Sequence, residues 1–289
     1  MLKIIEKTKI WFAISLILIV IGMSFLGVKG LNYGIDFKGG TIVTIEMGNS
    51  FNQKIKEQAD IIIKKYDKTA SSYIANKTEL EIKSNNLESG SINKMFGELK
   101  TKYKLKDNAL VSQNKVGPSV GNELKKKSLG ALVIATIAML IYIGFRFEIK
   151  FGVAAILGLV HDILITLGVY AVTQIPVNTP FIAAMLTIVG YSINDTIVIF
   201  DRIRENKKKL RGRDMVEIVN LSITQTMSRS INTVLTTLFT IVSVYVFVPS
   251  VRDFTLPLII GIVCGAYSSI FISSPIWILL RRFGKNKEA

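Results

Sequence analysis

Six long apolar runs punctuate the chain, at residues 10–28, 129–145, 151–172, 181–200, about 221–248 and 256–280. Each supplies roughly the 20 residues that carry a helix across a ~30 Å hydrocarbon core. Six transmembrane helices are therefore predicted. The first run is longer than the apolar core of a signal peptide, and no small-x-small cleavage site follows it cleanly, so a retained anchor is expected. Between the first two runs lies a polar segment, 29–127, long enough to form a domain of its own.

That segment carries a periodicity of a different kind. Residues 41–47 (TIVTIEM) alternate as a strand does. Within 51–66, Ile55, Ala59, Ile62 and Ile63 share one helical face, and within 91–103 Ile92, Met95, Phe96, Leu99 and Tyr103 do the same. Residues 72–76 and 78–83 read as a hairpin turned through Asn-Lys, and 109–116 as a last strand. The order βαββαβ is that of a ferredoxin-like α+β domain. The predicted organisation is thus 1–28 with the first helix, 29–127 as the α+β domain, and 128–289 with helices two to six and a loop at 201–221. Two short segments join the domain to its spans, GIDFKGGT at 34–41 and GPSVGNEL at 117–124. Gly34, Asp36, Gly39, Gly40, Gly117 and Pro118 are the candidate hinge positions. The plainer reading is a glycine-rich turn feeding a strand, and a Pro/Gly linker before a helix.

Composition narrows the class. Of 289 residues, 49% are hydrophobic, yet the formal net charge is +15. The positive charge gathers in short loops: Lys3, Lys7 and Lys9 before the first span, Arg146 and Lys150 between the second and third, seven basic residues from Arg202 to Arg213, and Arg281, Arg282, Lys285 and Lys287 after the last. Residues 173–180 carry none, and Arg252 stands alone near Pro249. The positive-inside rule then places both termini and the 201–221 loop in the cytoplasm, with 29–127 outside. Lys125, Lys126 and Lys127 fall on the other side, but long translocated domains largely escape the rule. A nucleic-acid partner is not expected, since no base-stacking or groove-reading module accompanies the charge. The basic loop makes anionic lipid a candidate partner. The single cysteine, Cys264, rules out an intrachain disulfide. Segment 29–127 has no His, no Cys and no Ser placed beside a base, so neither enzymatic chemistry nor a cofactor or metal is expected there.

The chemistry lies in the membrane. Asp195 interrupts a run that is otherwise apolar from Phe181 to Phe200. A charge near mid-span costs about 2.5–3.5 kcal/mol on insertion scales, and such residues face the bundle interior and mark ion or proton pathways. Asp195 lies about 9 Å inward from Asp201, and Arg229 about 10 Å inward from Ser222, so the depths permit contact between neighbouring helices. Burial and a guanidinium act on a carboxylate in opposite senses, which lets small movements tune it. Asp195 is therefore assigned as proton carrier and Arg229 as fixed countercharge, with a static ion pair as the alternative. Asn194 and Thr233 flank the pair. The Ser/Thr stripe of the fifth span, Ser222 to Thr240, reads more simply as glue between helices. His161 and Asp162, near mid-membrane in the third span, read equally as a proton shuttle or as a brace.

GIDFKGGT after the first span, VGPSVGNEL before the second, HDILITLG in the third, GYSINDTIVIFDRIREN in the fourth and QTMSRSINTVLTTL in the fifth closely resemble the SecF family within the resistance-nodulation-division superfamily. Met227 and Ser230 stand where that family more often has Leu and Thr. The resemblance implies a SecD-like partner contributing a second six-span half, in a complex beside the Sec translocon channel of the bacterial cytoplasmic (inner) membrane. It also implies use of the proton gradient to help an exported, unfolded polypeptide complete its passage. Half of a small-molecule or lipid exporter of the same superfamily is the alternative. A domain of about 100 residues with no evident large apolar pocket is slight for such a substrate chamber.

Overall fold

Helices that are apolar on every side can pack closely only where small residues let their backbones approach, and such contacts order this bundle. The computed structural model describes residues 2–146 and 148–285; of the basic residues after the last span, Lys287 lies outside them. After a 3₁₀ turn at Ile5–Lys7 come α1 (Thr8–Lys29), a short α2 (Ile35–Lys38) and β1 (Gly40–Glu46). There follow α3 (Gln53–Tyr66), β2 (Ser71–Ala75), β3 (Glu79–Ser84), α4 (Ser89–Tyr103) and β4 (Leu110–Val116). The rest is helical: α5 (Pro118–Arg146), α6 (Ile149–Thr173), α7 (Thr179–Lys209) and α8 (Met215–Phe247). The last span is built from α9 (Arg252–Ser268), a π-helical segment (Ser269–Ser273) and α10 (Ser274–Lys285). Among the described residues six helical stretches are long and apolar enough to cross a membrane, matching the six apolar runs.

The domain between the first two spans has the βαββαβ order expected from its periodicity. Its sheet is antiparallel, in the order β2-β3-β1-β4. Alternate residues Val43, Ile45, Leu80 and Ile82 point to one face and are fully buried against Ile62, Ile63, Ile92, Met95 and Leu99 of α3 and α4. Asn52 starts α3 by accepting the Ile55 N–H at 3.1 Å.

One boundary differs from the sequence reading. Residues 118–127, assigned to the domain with 117–124 as its linker to the next helix, are instead the first turns of α5. Pro118 is pre-set for the first helical position, and no helix-breaking residue pair follows it before the span. The domain's last strand ends at Val116, and the helix runs unbroken into the second span.

Spans α6, α7 and the last form the inside of the bundle, while α1, α5 and α8 lie on its perimeter. Small residues mark the crossings. A Cβ on Gly22 of α1 would lie 2.6 Å from Gly168 Cα of α6, and one on Gly265 of α9 would lie 3.0 Å from Ser192 Cβ of α7. Gly168→Val is expected to force α1 off α6. The cost should be about 1–3 kcal/mol, as in other overpacked cores. It would be read as a lower unfolding temperature of the purified full chain in mild detergent, and an unchanged temperature would refute the tight crossing.

Candidate functional site

Asp195 sits on α7 facing α8, and only 8% of it is exposed. Its Oδ1 accepts a 2.6 Å hydrogen bond from Ser230 Oγ, whereas Oδ2 is buried with no hydrogen-bond partner among the described residues. Arg229 is on the adjoining position of α8 but is exposed, and neither oxygen of Asp195 is hydrogen-bonded to it. Both residues instead line one cavity of about 240 Å³ between α7 and α8, with Tyr191, Asn194, Thr233, Thr236 and Thr237. The expected closeness of the two residues is thus present as a shared cavity rather than a formed ion pair. Tyr191 closes one side by donating to Thr233 O at 3.2 Å and contacting Thr237 Oγ1 at 3.3 Å. Thr233 is exposed, and its hydroxyl donates back to Arg229 O at 2.9 Å. Asn194 is exposed one residue before Asp195.

A second polar cluster lies beside the first, one turn away along α7. Asp162 is fully buried, and its Oδ2 accepts from Ser192 Oγ at 2.6 Å and Ser268 Oγ at 2.8 Å. His161 Nδ1 lies 2.9 Å from Asp162 Oδ1, and its Nε2 lies 2.9 Å from Ser15 Oγ on α1. Tyr267 stacks near the imidazole at 5.9 Å and donates its hydroxyl to Trp11 O at 2.9 Å. Asp162 and its neighbours therefore tie α1, α6, α7 and α9 together. The π-helical segment begins directly after Ser268. Its Ser269 contacts Thr196, the residue after Asp195, at 2.9 Å. Helical turns with the π spacing recur at functional sites because they shift which side chains face inward. Here the shift lets Ser268 and Ser269 address Asp162 and Thr196 from consecutive positions.

The glycine-rich segment after α1 has a role that its composition does not announce. Gly34 N–H donates to Val177 O at 2.8 Å, and Val177 N–H to Asn32 O at 2.8 Å, pairing the segment with the α6–α7 turn. Asn178, the residue before α7, makes no capping bond of its own. Asp36 caps that helix from a distance, its Oδ2 accepting the Thr179 N–H at 2.8 Å. An acid at a helix N-terminus stabilises it by satisfying a free N–H and by its charge. Asn178 instead donates to Asp253 Oδ2 at 2.8 Å, and Lys83 of the sheet domain lies 3.7 Å from the same oxygen. Gly39 has φ +85°, a left-handed conformation natural to glycine. A Cβ on Gly40 would lie 2.5 Å from Ser84 O. Gly121, in the first turn of α5, would meet Phe37 O at 2.5 Å if it carried a Cβ. The hinge candidates around Gly39 and Gly40 are thus held between the sheet and the spans, whereas Gly117 stands open, with its carbonyl accepting the Gly121 N–H at 3.2 Å just before Pro118 starts α5.

Ser15, Ser268, Ser269, Ser230 and Asp253 were not singled out as site residues by sequence reasoning. The signal that could have found the inner ones is the spacing of Ser268, Ser269, Ser273 and Ser274 in an otherwise apolar run, since all four are fully buried. No group of three or more His, Cys, Asp or Glu side chains suited to a metal occurs among the described residues.

Six apolar spans, an α+β domain inserted after the first, and a carboxylate buried mid-span in the fourth define a multi-pass membrane protein with ionisable groups in its core. Family models agree with this architecture: one described as "Protein export membrane protein SecD/SecF, C-terminal" matches residues 96–283, and one for the SecD/SecF GG motif matches 24–50. Protein translocase subunit SecF of Sebaldella termitidis is 38% identical over 292 residues, covering 98% of this chain and 93% of that protein. Protein translocase subunit SecDF of Bacillus subtilis is 36% identical over 277 residues, covering 94% of this chain but 37% of that one. The crystal structure of SecDF from Thermus thermophilus, a translocon-associated membrane protein, superposes with a TM-score of 0.79 at 35% identity, over 97% of this chain and 39% of that one. The chain belongs to the SecF family of protein translocase subunits, and it spans about two-fifths of the length of the SecDF relatives.

Proposed function

We propose that this chain is the SecF half of a proton-driven, non-enzymatic complex that assists protein export across the bacterial cytoplasmic membrane. The observation that carries the reading is the setting of Asp195. A carboxylate buried mid-span, held by one hydroxyl and otherwise unpartnered, is costly unless it works. In this reading Asp195 takes up and releases the proton at Oδ2, beside the shared cavity. Arg229 stays charged and draws in when the carboxylate ionises. Each proton crossing brings about 2.3 kcal/mol per 100 mV, enough to repack weak contacts between helices. The His161–Asp162 cluster positions α7 against α1 and α9, one turn from Asp195, so that a movement at one cluster reaches the other.

The outward face of α8 supports a SecD-like partner. Arg229, Asn232, Thr233, Thr236 and Thr240 are all exposed there, inside a candidate span. The threonine hydroxyls bond their own helix, but lipid offers the Arg229 guanidinium and the Asn232 amide no hydrogen bonds, so a protein surface is the fitting cover. The SecDF relatives, which carry both names in one chain, support the same pairing. In this reading both termini are cytoplasmic and the ferredoxin-like domain is outside, an orientation that the basic loops support. There it engages an unfolded, exported polypeptide emerging from the Sec translocon channel.

Export into membrane vesicles with a proton or a sodium gradient imposed separately tests the coupling. The expected result is a gain in completed export with the proton gradient alone. A gain that follows sodium alone would transfer the site to that ion, and no gain with either would overturn ion coupling.

A further inference from the structure

At the end of the bundle where α6 and α8 begin and α10 finishes, two cavities open on either side of one arginine. The first, of about 280 Å³, is lined by Glu148, Ile149, Lys150, Lys207, Trp277 and Arg281. The second, of about 250 Å³, is lined by Arg213, Asp214, Met215, Val216, Ile278, Arg281 and Arg282. Most charges here are already spoken for. Lys207 pairs with Glu148 at 3.0 Å, and Arg213 with Glu217 at 2.6 Å. Asp214 caps α8 through the Val216 N–H.

Arg281 is different. It is half-buried, its guanidinium lies 5.6 Å from the Trp277 ring, and its hydrogen bond goes to Met215 Sδ at 3.2 Å. No carboxylate pairs with it among the described residues, and the same holds for Lys150 and Arg282. Trp277 is fully buried and stacked on Phe151 at 4.4 Å, yet its Nε1–H has no acceptor among the described residues. The N-terminus of α6, which makes no side-chain capping bond, opens on the same cavity. An unpaired guanidinium, a spare ammonium and an indole with an unmatched donor line a space whose one carboxylate, Glu148, is already paired with Lys207.

We infer that this end of the bundle is a binding site for the phosphate headgroup of an anionic phospholipid, with Arg281 as its central ligand. The chemistry fits in three respects. A guanidinium binds phosphate oxygens bidentately. The Trp277 indole lines the same cavity and carries a donor without a partner among the described residues. Basic pockets between spans at a membrane surface suit anionic headgroups because a diffuse charge field is added to a defined contact. The acyl chains would run along the exposed apolar surface beside the cavity, where Ile149 is 79% exposed. The inference rests on the reading that these helix ends meet the membrane surface. It is independent of proton coupling, so its failure would leave the role of Asp195 untouched.

The test counts lipid retained by the purified full chain in mild detergent, using native mass spectrometry. Phosphatidylglycerol, phosphatidylethanolamine and inorganic phosphate are supplied in parallel. A wash near 1 M salt, where the screening length falls to about 3 Å, removes lipid held only by the diffuse field. Wild-type protein and Lys208→Gln, which removes an exposed charge outside both cavities, are expected to keep phosphatidylglycerol. Arg281→Gln should lower retention at least about tenfold, the weight of a lost charged hydrogen bond. Lys150→Gln, at an exposed position, should lower it in the same direction. Loss of phosphatidylglycerol from the wild type at high salt would overturn the proposal. So would equal losses in Lys208→Gln and Arg281→Gln, equal retention of phosphatidylethanolamine, or displacement of the lipid by equimolar inorganic phosphate.

Discussion

Asp195→Asn is expected to abolish the gradient-dependent part of export stimulation while leaving membrane insertion and assembly with a SecD-like chain intact. The substitution keeps the size of the side chain, and the retained carbonyl oxygen can still accept from Ser230, which now bonds Oδ1 at 2.6 Å. The new amide takes the place of Oδ2, which has no partner among the described residues, so no existing hydrogen bond is lost beside the cavity shared with Arg229. Structural cost should therefore be small, within about 1 kcal/mol for exchange of one hydrogen-bonding group. What disappears is the titration. Export yield measured with the proton gradient present and then collapsed separates the two contributions, and the variant should give the same yield in both. Arg229→Lys should reduce the gain without abolishing it, because an ammonium keeps the charge but lacks the guanidinium fork. If Asp195→Asn retains the full gradient-dependent gain, the proton-carrier assignment is wrong.

The relation between these two residues also shows what a sequence can and cannot convey about such a site. Depth along a helix follows from counting residues, and on that measure Asp195 and Arg229 match. Rotation about the helix does not follow from counting when the neighbouring face is unknown. Ser230, the next residue, takes the position facing Asp195, and one residue turns a helix by about 100°, so Arg229 points to the cavity edge. The six spans and the βαββαβ order were legible because each depends on a local period of polar and apolar residues. The contacts that join distant segments were not. Asp36 caps α7 from 143 positions away, and Ser15 reaches His161 from 146. Neither Asp36 nor Ser15 differs locally from a turn residue or a serine that bonds its own helix. Residues 118–127 misled for a related reason. Gly117 and Pro118 look like a linker in isolation, but Pro followed by helix-tolerant residues begins a helix, and only the packing of Phe37 against Gly121 reveals which applies.

Holding the sheet domain on the spans by a covalent link is expected to abolish export stimulation as fully as removing the Asp195 charge. In the structure the domain is tied to the spans by contacts that are individually weak. The Lys83–Asp253 pair, at 3.7 Å and partly exposed, is worth at most about 1 kcal/mol. That is less than the ~2.3 kcal/mol that one proton brings per 100 mV, so a proton cycle can open and remake it. A covalent bond is far beyond that reach. Lys83→Cys with Asp253→Cys, in a Cys264→Ala background, places one thiol on each side of this junction. A short cross-linker containing a cleavable disulfide then locks the domain in place. Stimulation should vanish on linking and return when a reductant cuts the link, while the singly substituted chains treated in the same way keep their activity. That reversal separates a blocked movement from damage by substitution. Undiminished stimulation in the linked protein would show that the domain works without moving relative to the spans, and the proton would then have to act within the bundle alone.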